Sequence, residues 1–168
     1  MIKYLIIDID GTLTDGGVYY DETGNELKKF STKDGTGIIM ARKAGIIPVV
    51  LTGRESTATI RRMTELGVTE VHQGIKDKVT WLKNWMNTNY IKKIEIGYIG
   101  DDLNDLCPME LCGFISCPKD AIDEVKEKAD YISSVAGGYG VVRDVIRHIL
   151  SQENLWASVV NRTYGIGV

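Results

Sequence analysis

Asp8 and Asp10 stand two residues apart in Tyr4-Leu5-Ile6-Ile7-Asp8-Ile9-Asp10-Gly11-Thr12-Leu13-Thr14-Asp15-Gly16. Neighbouring carboxylates repel, so such a pair wants a cation or a shared proton. Thr52-Gly53-Arg54 adds a small hydroxyl and a guanidinium in one turn. Gln73-Gly74-Ile75-Lys76-Asp77-Lys78 brings an ammonium, and Gly100-Asp101-Asp102-Leu103-Asn104-Asp105 brings further carboxylates. Singly these are ordinary: a hydroxyl before a glycine is common loop chemistry, and an acidic helix start is common capping. As a set they equip phosphoryl transfer. One aspartate attacks phosphorus and forms an aspartyl-phosphate, which water then cleaves. A second carboxylate protonates the leaving oxygen and later deprotonates the water. Mg²⁺ prefers oxygen ligands and offsets carboxylate and phosphate charge. A hydroxyl, a lysine and backbone N–H groups hold the phosphoryl oxygens.

These residues need strand ends to meet at. Tyr4-Leu5-Ile6-Ile7 reads as a buried parallel strand, with Asp8 and Asp10 where open α/β sheets bind ligands. Ile46-Ile47-Pro48-Val49-Val50-Leu51 and Ile94-Glu95-Ile96-Gly97-Tyr98-Ile99 end in the other two clusters. Gly17-Val18-Tyr19-Tyr20 and Glu26-Leu27-Lys28-Lys29-Phe30 flank a turn, which predicts a β-hairpin over about residues 17–30. A lone hairpin is marginal in water, so Tyr19, Tyr20 and Phe30 are expected to pack on the body or on another subunit. Ser31-Thr32-Lys33-Asp34-Gly35 reads as a polar loop, with Asp34 capping a helix through Ile38, Ile39, Met40 and Ala41 that stops at Gly45.

Further helices are predicted through Ile60, Met63 and Leu66, from Ile75 to Met86, to about Leu111, over 121–128, and through Val141, Val145, Ile146 and Leu150. Short strands at 68–71, 114–116 and 131–132 alternate with them. Trp81 and Trp85 share an apolar helix face and read as core or interface rather than ligand stackers. No element is assigned to the tail, 151–168. The alternation predicts one α/β domain over 1–168, a doubly wound, Rossmann-like parallel sheet with a hairpin insertion after its first strand.

Composition narrows the partners. The 168 residues suffice for one domain with a real core, and 43% hydrophobic and 26% charged residues are ordinary for a globular chain. A net charge of −3 argues against nucleic acid or a membrane surface as a general partner. No apolar run reaches the ~20 residues of a spanning helix. The start shows no secretion signal. Cys107, Cys112 and Cys117 are odd in number and lack metal-type pairs, which fits reduced thiols and a cytoplasmic location.

In order along the chain, Asp8-Ile9-Asp10-Gly11-Thr12, Thr52, Lys78 and Gly100-Asp101-Asp102-Leu103-Asn104-Asp105 resemble the four motifs of haloacid dehalogenase-type phosphatases. The resemblance implies Asp8 as nucleophile and Asp10 as general acid/base. It implies Mg²⁺ held by Asp8, the Asp10 backbone carbonyl and Asp101, with Asp102 and Asp105 supporting the metal site from behind. Thr52 and Lys78 would hold the phosphoryl group. Between these motifs there is room for the hairpin, two helices and a short strand, but for no cap domain. A capless site either takes a macromolecular substrate or is closed by a neighbouring subunit.

Asp15-Gly16-Gly17 with the hairpin, Lys29-Phe30-Ser31-Thr32-Lys33-Asp34-Gly35-Thr36-Gly37-Ile38, Leu51-Thr52-Gly53-Arg54, Arg62, Gln73-Gly74, Asp77-Lys78 and Gly137-Gly138-Tyr139-Gly140-Val141-Val142-Arg143-Asp144 resemble the 3-deoxy-D-manno-octulosonate 8-phosphate phosphatase subfamily over about residues 3–150. The resemblance implies a homotetramer whose hairpins meet at the centre and whose neighbours cap each site. It implies a small phosphorylated eight-carbon sugar acid of lipopolysaccharide synthesis as substrate. Ser31, Thr32, Lys33, Asp34, Gly35, Arg54 and Arg62 would contact it, besides Asp10 and Lys78. An arginine grips a carboxylate through two parallel hydrogen bonds, which suits a sugar acid. Ile39 departs from a basic contact of some members. The Gly165-Ile166-Gly167-Val168 end is similar to a flexible subfamily tail that reaches a neighbour's site.

Three other readings compete. Phosphatases for nine-carbon sugar acid 9-phosphates share the frame, and at least one carries a glutamate in the place of Arg54. A non-catalytic oligomerisation module of some cytidylyltransferases can lose acid/base residues, but Asp8, Asp10, Lys78 and Asp101 are all present here. A receiver-type phosphoacceptor normally carries its phosphorylated aspartate after a later strand.

Overall fold

The apolar runs that end in glycine and acid form parallel strands, and the amphipathic stretches between them form helices. The computed structural model describes residues 1–167. The order is β1 (Tyr4–Ile7), β2 (Tyr19–Tyr20), β3 (Glu26–Leu27), α1 (Thr32–Lys43), β4 (Ile47–Leu51), α2 (Thr57–Glu65), β5 (Glu70–His72) and α3 (Lys78–Thr88). There follow β6 (Ile96–Ile99), α4 (Leu103–Met109), β7 (Phe114–Cys117), α5 (Asp123–Lys126), β8 (Tyr131–Ile132), α6 (Val141–Gln152) and α7 (Trp156–Tyr164). Six strands form one sheet in the order β5-β4-β1-β6-β7-β8, with every neighbouring pair parallel. The chain winds outward from β1 through β4 to β5, then crosses to the other side of β1 at β6. That reversal opens a crevice beyond the carboxyl ends of β1, β4 and β6.

Alternate strand residues feed two cores. Leu5, Ile7, Val50 and Ile99 pack with Ile38 of α1 and with Val142 and Ile146 of α6. Ile6, Val49, Leu51 and Tyr98 pack with Leu82 of α3 and Met109 of α4. Each fully buried side chain of this size stabilises the fold by about 1.5–3 kcal/mol, so the sheet can hold polar groups at its end. Trp85 meets Tyr4 edge-on at 5.2 Å and stacks on Trp81 at 5.6 Å, so both tryptophans are core supports as read.

The hairpin is a separate two-stranded antiparallel sheet. Asp21 organises its tip, accepting from the N–H groups of Thr23 and Asn25 at 2.8 and 2.9 Å. The side chain of Asn25 and then that of Thr23 also donate to it and draw the Asp21 carboxyl down to about 2. A bridge between Thr14 and Phe30 closes the hairpin's base, and Phe30 packs on the core. Tyr19 and Tyr20 stay exposed.

Several local expectations are corrected. Residues 31–35 are the start of α1 rather than a loop, because Ser31 caps it by accepting from Lys33 N at 3.1 Å. Ile94 and Glu95 lie in a single tight turn (Lys93–Glu95), and the strand begins at Ile96. The tail is not without structure: α7 buries Val159 and Val160 against Met40 of α1, while Leu155 and Trp156 pack beside them. Those four apolar residues at helical spacing were the available signal. Gly165 ends α7 with a φ of +69°, and Val168 lies outside the described residues.

Asp34 does not cap its own helix. It is fully buried, and it accepts from the N–H groups of Gly140, Val142 and Arg143 at 3.1, 2.8 and 3.2 Å. These are orphan donors at the start of α6, so a carboxylate on one helix caps another. Burial pushes the Asp34 carboxyl up to about 6, against the pull of these three bonds. Asp34→Ala strands three buried donors and is expected to cost roughly 2–4 kcal/mol of stability in urea unfolding. Asp34→Asn keeps one acceptor oxygen and should cost about half as much. Equal, small losses would mean that water caps α6 instead.

Candidate active site

β1 delivers the first two carboxylates. Asp8 N continues the parallel ladder to Ile99 O at 3.0 Å, and the chain then folds into a wide turn over Ile9–Leu13, closed by Thr14 N to Ile9 O at 2.9 Å. Only glycine fits at position 11. Its φ is +91°, and a Cβ there would lie 2.0 Å from Asp101 Oδ2. Gly137 covers the other side, where a Cβ would lie 1.8 Å from Gly11 O. The turn is therefore pressed between the acidic cluster and the glycine loop that precedes α6.

Lys78, the first residue of α3, is buried against that turn. Its Nζ donates to Asp8 Oδ1 and to Asp105 Oδ1, at 2.7 Å each. Asp105, in the first turn of α4, is fully buried and saturated. It also accepts from Tyr98 OH at 2.7 Å and from Asp101 N at 3.1 Å. Asp101 Oδ1 accepts from Thr12 Oγ1 at 3.0 Å. Burial, then the charge of Asp105, push the Asp8 carboxyl up to about 8 although Lys78 opposes them. Burial and Asp105 likewise push Asp101 up to about 7. For Lys78, burial works against the ammonium, but Asp8 and Asp105 outweigh it and raise its affinity for the proton.

A cleft of about 330 Å³ opens above these groups, lined by Asp8, Asp10, Thr52, Arg54 and residues 102–104. Thr52 is buried at the end of β4, and its hydroxyl accepts from Arg54 N at 3.4 Å. Arg54 reaches across the cleft to Glu26, with Nη2 3.0 Å from Oε1, and its Nε lies 3.9 Å from Asp10 Oδ2. Lys28 forms an ion pair with Asp10 Oδ1 and lies 3.0 Å from Glu26 Oε1.

Of the residues singled out from the sequence, the fold thus brings together Asp8, Asp10, Thr52, Arg54, Lys78, Asp101 and Asp105. Asp102 lines the cleft, but its exposed side chain caps α4, accepting from Leu103 N at 2.7 Å, and is not behind the cluster. The others stand elsewhere. Arg62 pairs with Glu65 at 3.2 Å and lies over buried Gly35. Ser31 is a cap, Thr32 is exposed on α1, Asp34 is buried under α6, and Lys33 lines a separate shallow depression with Tyr139 and Arg143. Ile39 packs on the core. Lys28, Glu26 and Tyr98 were not singled out. Glu26 and Lys28 stand two residues apart in the returning arm of the expected hairpin, where extended chain puts alternate side chains on one face; that was the signal that could have found them.

The acidic set fits a hard divalent cation. Asp8, Asp101 and Asp105 each offer an oxygen within 4.8 Å of the others. The hydrogen bonds described engage only Oδ1 of Asp8 and of Asp101, which leaves Oδ2 of each for a further ligand. Asp105 is fully used and serves as a support. An all-oxygen donor set suits Mg²⁺.

A haloacid dehalogenase-like hydrolase family matches residues 66–144. The 3-deoxy-D-manno-octulosonate 8-phosphate phosphatase KdsC of Escherichia coli K12 is 37% identical over 144 residues, 86% of this chain and 77% of that protein. The chain belongs to the KdsC phosphatase family. The Haemophilus influenzae KdsC is also 37% identical, over 90% of this chain and 84% of its own length. Among solved structures, a Moraxella catarrhalis family member in complex with magnesium, phosphate and 3-deoxy-D-manno-octulosonate matches with a TM-score of 0.92 at 35% identity, over 96% of this chain and 93% of that one. A cobalt-bound Haemophilus influenzae member matches at 0.87 and 36% identity, over 93% and 91%. The α/β reading, with its doubly wound parallel sheet, stands.

Protons and a metal compete for these carboxylates. A carboxyl raised in the folded chain contributes stability below its unfolded value, ~4, that is lost as pH rises through its folded value. For Asp101 and Asp8 those folded values are about 7 and about 8. A divalent cation favours the ionised forms, so it should restore what is lost. The difference in melting temperature between Mg²⁺-loaded and chelator-treated protein is expected to be small at pH 5.5 and to widen steadily to pH 8.5. A gap independent of pH would place the metal away from Asp8 and Asp101.

Proposed function

We propose that this protein is a Mg²⁺-dependent phosphatase of 3-deoxy-D-manno-octulosonate 8-phosphate that works through an aspartyl-phosphate on Asp8. The observation that carries the reading is buried Lys78, tied to Asp8 and Asp105 beneath a cleft that Asp10, Thr52 and Arg54 share. Membership of the KdsC family, whose named members act on this substrate, supports the sugar acid.

Asp8 attacks through one carboxylate oxygen, while its other oxygen stays with the cations of the site, Lys78 among them. The P–O bond to the sugar breaks as the Asp8–P bond forms, and Asp10 gives its proton to the departing sugar oxygen. Asp10, now a carboxylate, takes a proton from water. That water attacks phosphorus, the Asp8–P bond breaks, and phosphate leaves. Thr52 and Lys78 hold the phosphoryl oxygens throughout. Asp8, the Asp10 carbonyl and Asp101 would hold the Mg²⁺, with Asp105 fixing them from behind; when bound it offsets charge on carboxylate and phosphate. Arg54, half exposed at the cleft rim, leaves Glu26 to grip the substrate carboxylate.

The reading includes a single capless domain, a homotetramer, a cytoplasmic location and no nucleic-acid or membrane partner. The exposed hairpin residues Tyr19, Tyr20 and Leu27 support self-association. Arg62 and the exposed residues of 31–35 enter it as surface that a neighbouring copy meets. A molecular mass in solution of four chains is the expected result, and a monomer would leave the cleft without its closing partner.

Asp8→Asn should lower kcat by on the order of 10⁴ or more without unfolding the chain. Retained steady-state hydrolysis would sink the nucleophile assignment. Arg54→Ala should reduce kcat/KM on the sugar acid phosphate roughly 10–100-fold, the worth of a charged hydrogen bond, and leave a small aryl phosphate nearly unaffected. Equal losses on both would remove Arg54 as the carboxylate contact. Phosphate release from the eight-carbon 8-phosphate should exceed that from nine-carbon 9-phosphates in kcat/KM. The reverse order would keep the mechanism and change the substrate.

A further inference from the structure

We infer that Lys28, on the hairpin, is a positioning residue for proton transfer by Asp10. The inference rests on the acid/base role proposed above for Asp10. Lys28 directly follows a two-residue strand, Glu26–Leu27, that stands apart from the main sheet, yet only 2% of its side chain is exposed. Ordering a lysine costs about 2 kcal/mol of rotamer freedom, and a buried ammonium must be paired. Its partners are Asp10 Oδ1 and Glu26 Oε1. Glu26 Oε1 is buried with Lys28 and Arg54 at 3.0 Å each and no aligned hydrogen bond, so charge rather than directionality holds it.

The arrangement has a consequence for Asp10. With Oδ1 against Lys28, the carboxyl plane cannot turn freely. Oδ2 is left as the proton-carrying atom, because the described hydrogen bonds do not engage it and Arg54 Nε, at 3.9 Å, is too far to make one. When the P–O bond breaks, the bonding pair stays on the sugar oxygen, which takes the proton from Oδ2. The new carboxylate charge on Asp10 then faces the Lys28 ammonium. Glu26, between Lys28 and Arg54, ties this positioning to the residue at the cleft rim.

The test is a leaving-group series of aryl phosphates, none carrying a carboxylate, assayed with Mg²⁺ on the full-length protein. kcat/KM reports formation of the aspartyl-phosphate, the step in which the leaving oxygen is protonated. Lys28→Met should lose roughly 10–100-fold on phenyl phosphate and no more than about threefold on 4-nitrophenyl phosphate, so the dependence on leaving-group acidity steepens. Lys28→Arg should recover part of the slope. A uniform loss across the series for Lys28→Met would overturn the inference and leave Lys28 as a hairpin anchor. If Lys28→Met does not fold, Lys28→Gln is read on the same slope with the same two outcomes. Asp10→Asn serves as reference. If it fails to steepen the slope, the acid/base reading of Asp10 falls; if it steepens and the Lys28 variants do not, only the present inference falls.

Discussion

One buried ammonium holds the site together. Lys78 donates to Asp8 and Asp105, and those contacts pin the start of α3 to the ends of β1 and the start of α4. Buried ion pairs add little net stability, but removing one partner leaves a stranded charge that costs about 3–5 kcal/mol. Three carboxylates cluster here and Lys78 touches two of them, Asp8 and Asp105, so the floor of the pocket is short of positive charge by construction. The two ends of the shortage differ. Asp105 is surrounded by donors from Lys78, Tyr98 and the Asp101 backbone, and its place is fixed. Asp8 and Asp101 keep an oxygen each, and they are the groups a metal and a phosphoryl group would satisfy.

The protein spends its apolar surface to hold this arrangement. Alternate residues of β1 and β4 enter cores on both faces of the sheet, so the strand ends cannot slide without disturbing both. The turn at Gly11 is equally confined, with Asp101 on one side and Gly137 on the other. Asp34 ties α1 to the start of α6 just after that glycine loop. The floor of the cleft is thus braced from helices that contribute no side chain to it.

Much of this was legible in the chain because the informative residues are close in sequence. Asp8 and Asp10 follow an apolar run directly, and the acids at 101–105 follow another, so strand-end placement came from local pattern. Other features had no local signal. Asp34 reads as the cap of its own helix, yet its partners lie 106 to 109 residues away. Lys28 looks like a solvated hairpin lysine until the hairpin folds over Asp10. Arg62 and residues 31–35 carry a family pattern, but a single chain turns them away from its own cleft. The helix at 156–164 has only a short apolar spacing, at 155, 156, 159 and 160, as its local signal.

The hairpin leaves the sheet after Thr14 and returns at Phe30, and the bridge between those two residues closes its base. That geometry resembles a socket: a segment of different length or sequence could be plugged in without moving β1 or α1. Its tip, held by hydrogen bonds within residues 21–25, is free to diverge. Glu26 and Lys28 are not, because they reach the acid and the arginine of the cleft. Exchange of this insertion between relatives would therefore carry catalytic tuning with it. With the assembly and the Lys28 role proposed above, a lineage that rebuilds its subunit contacts through the hairpin would alter its chemistry in the same event.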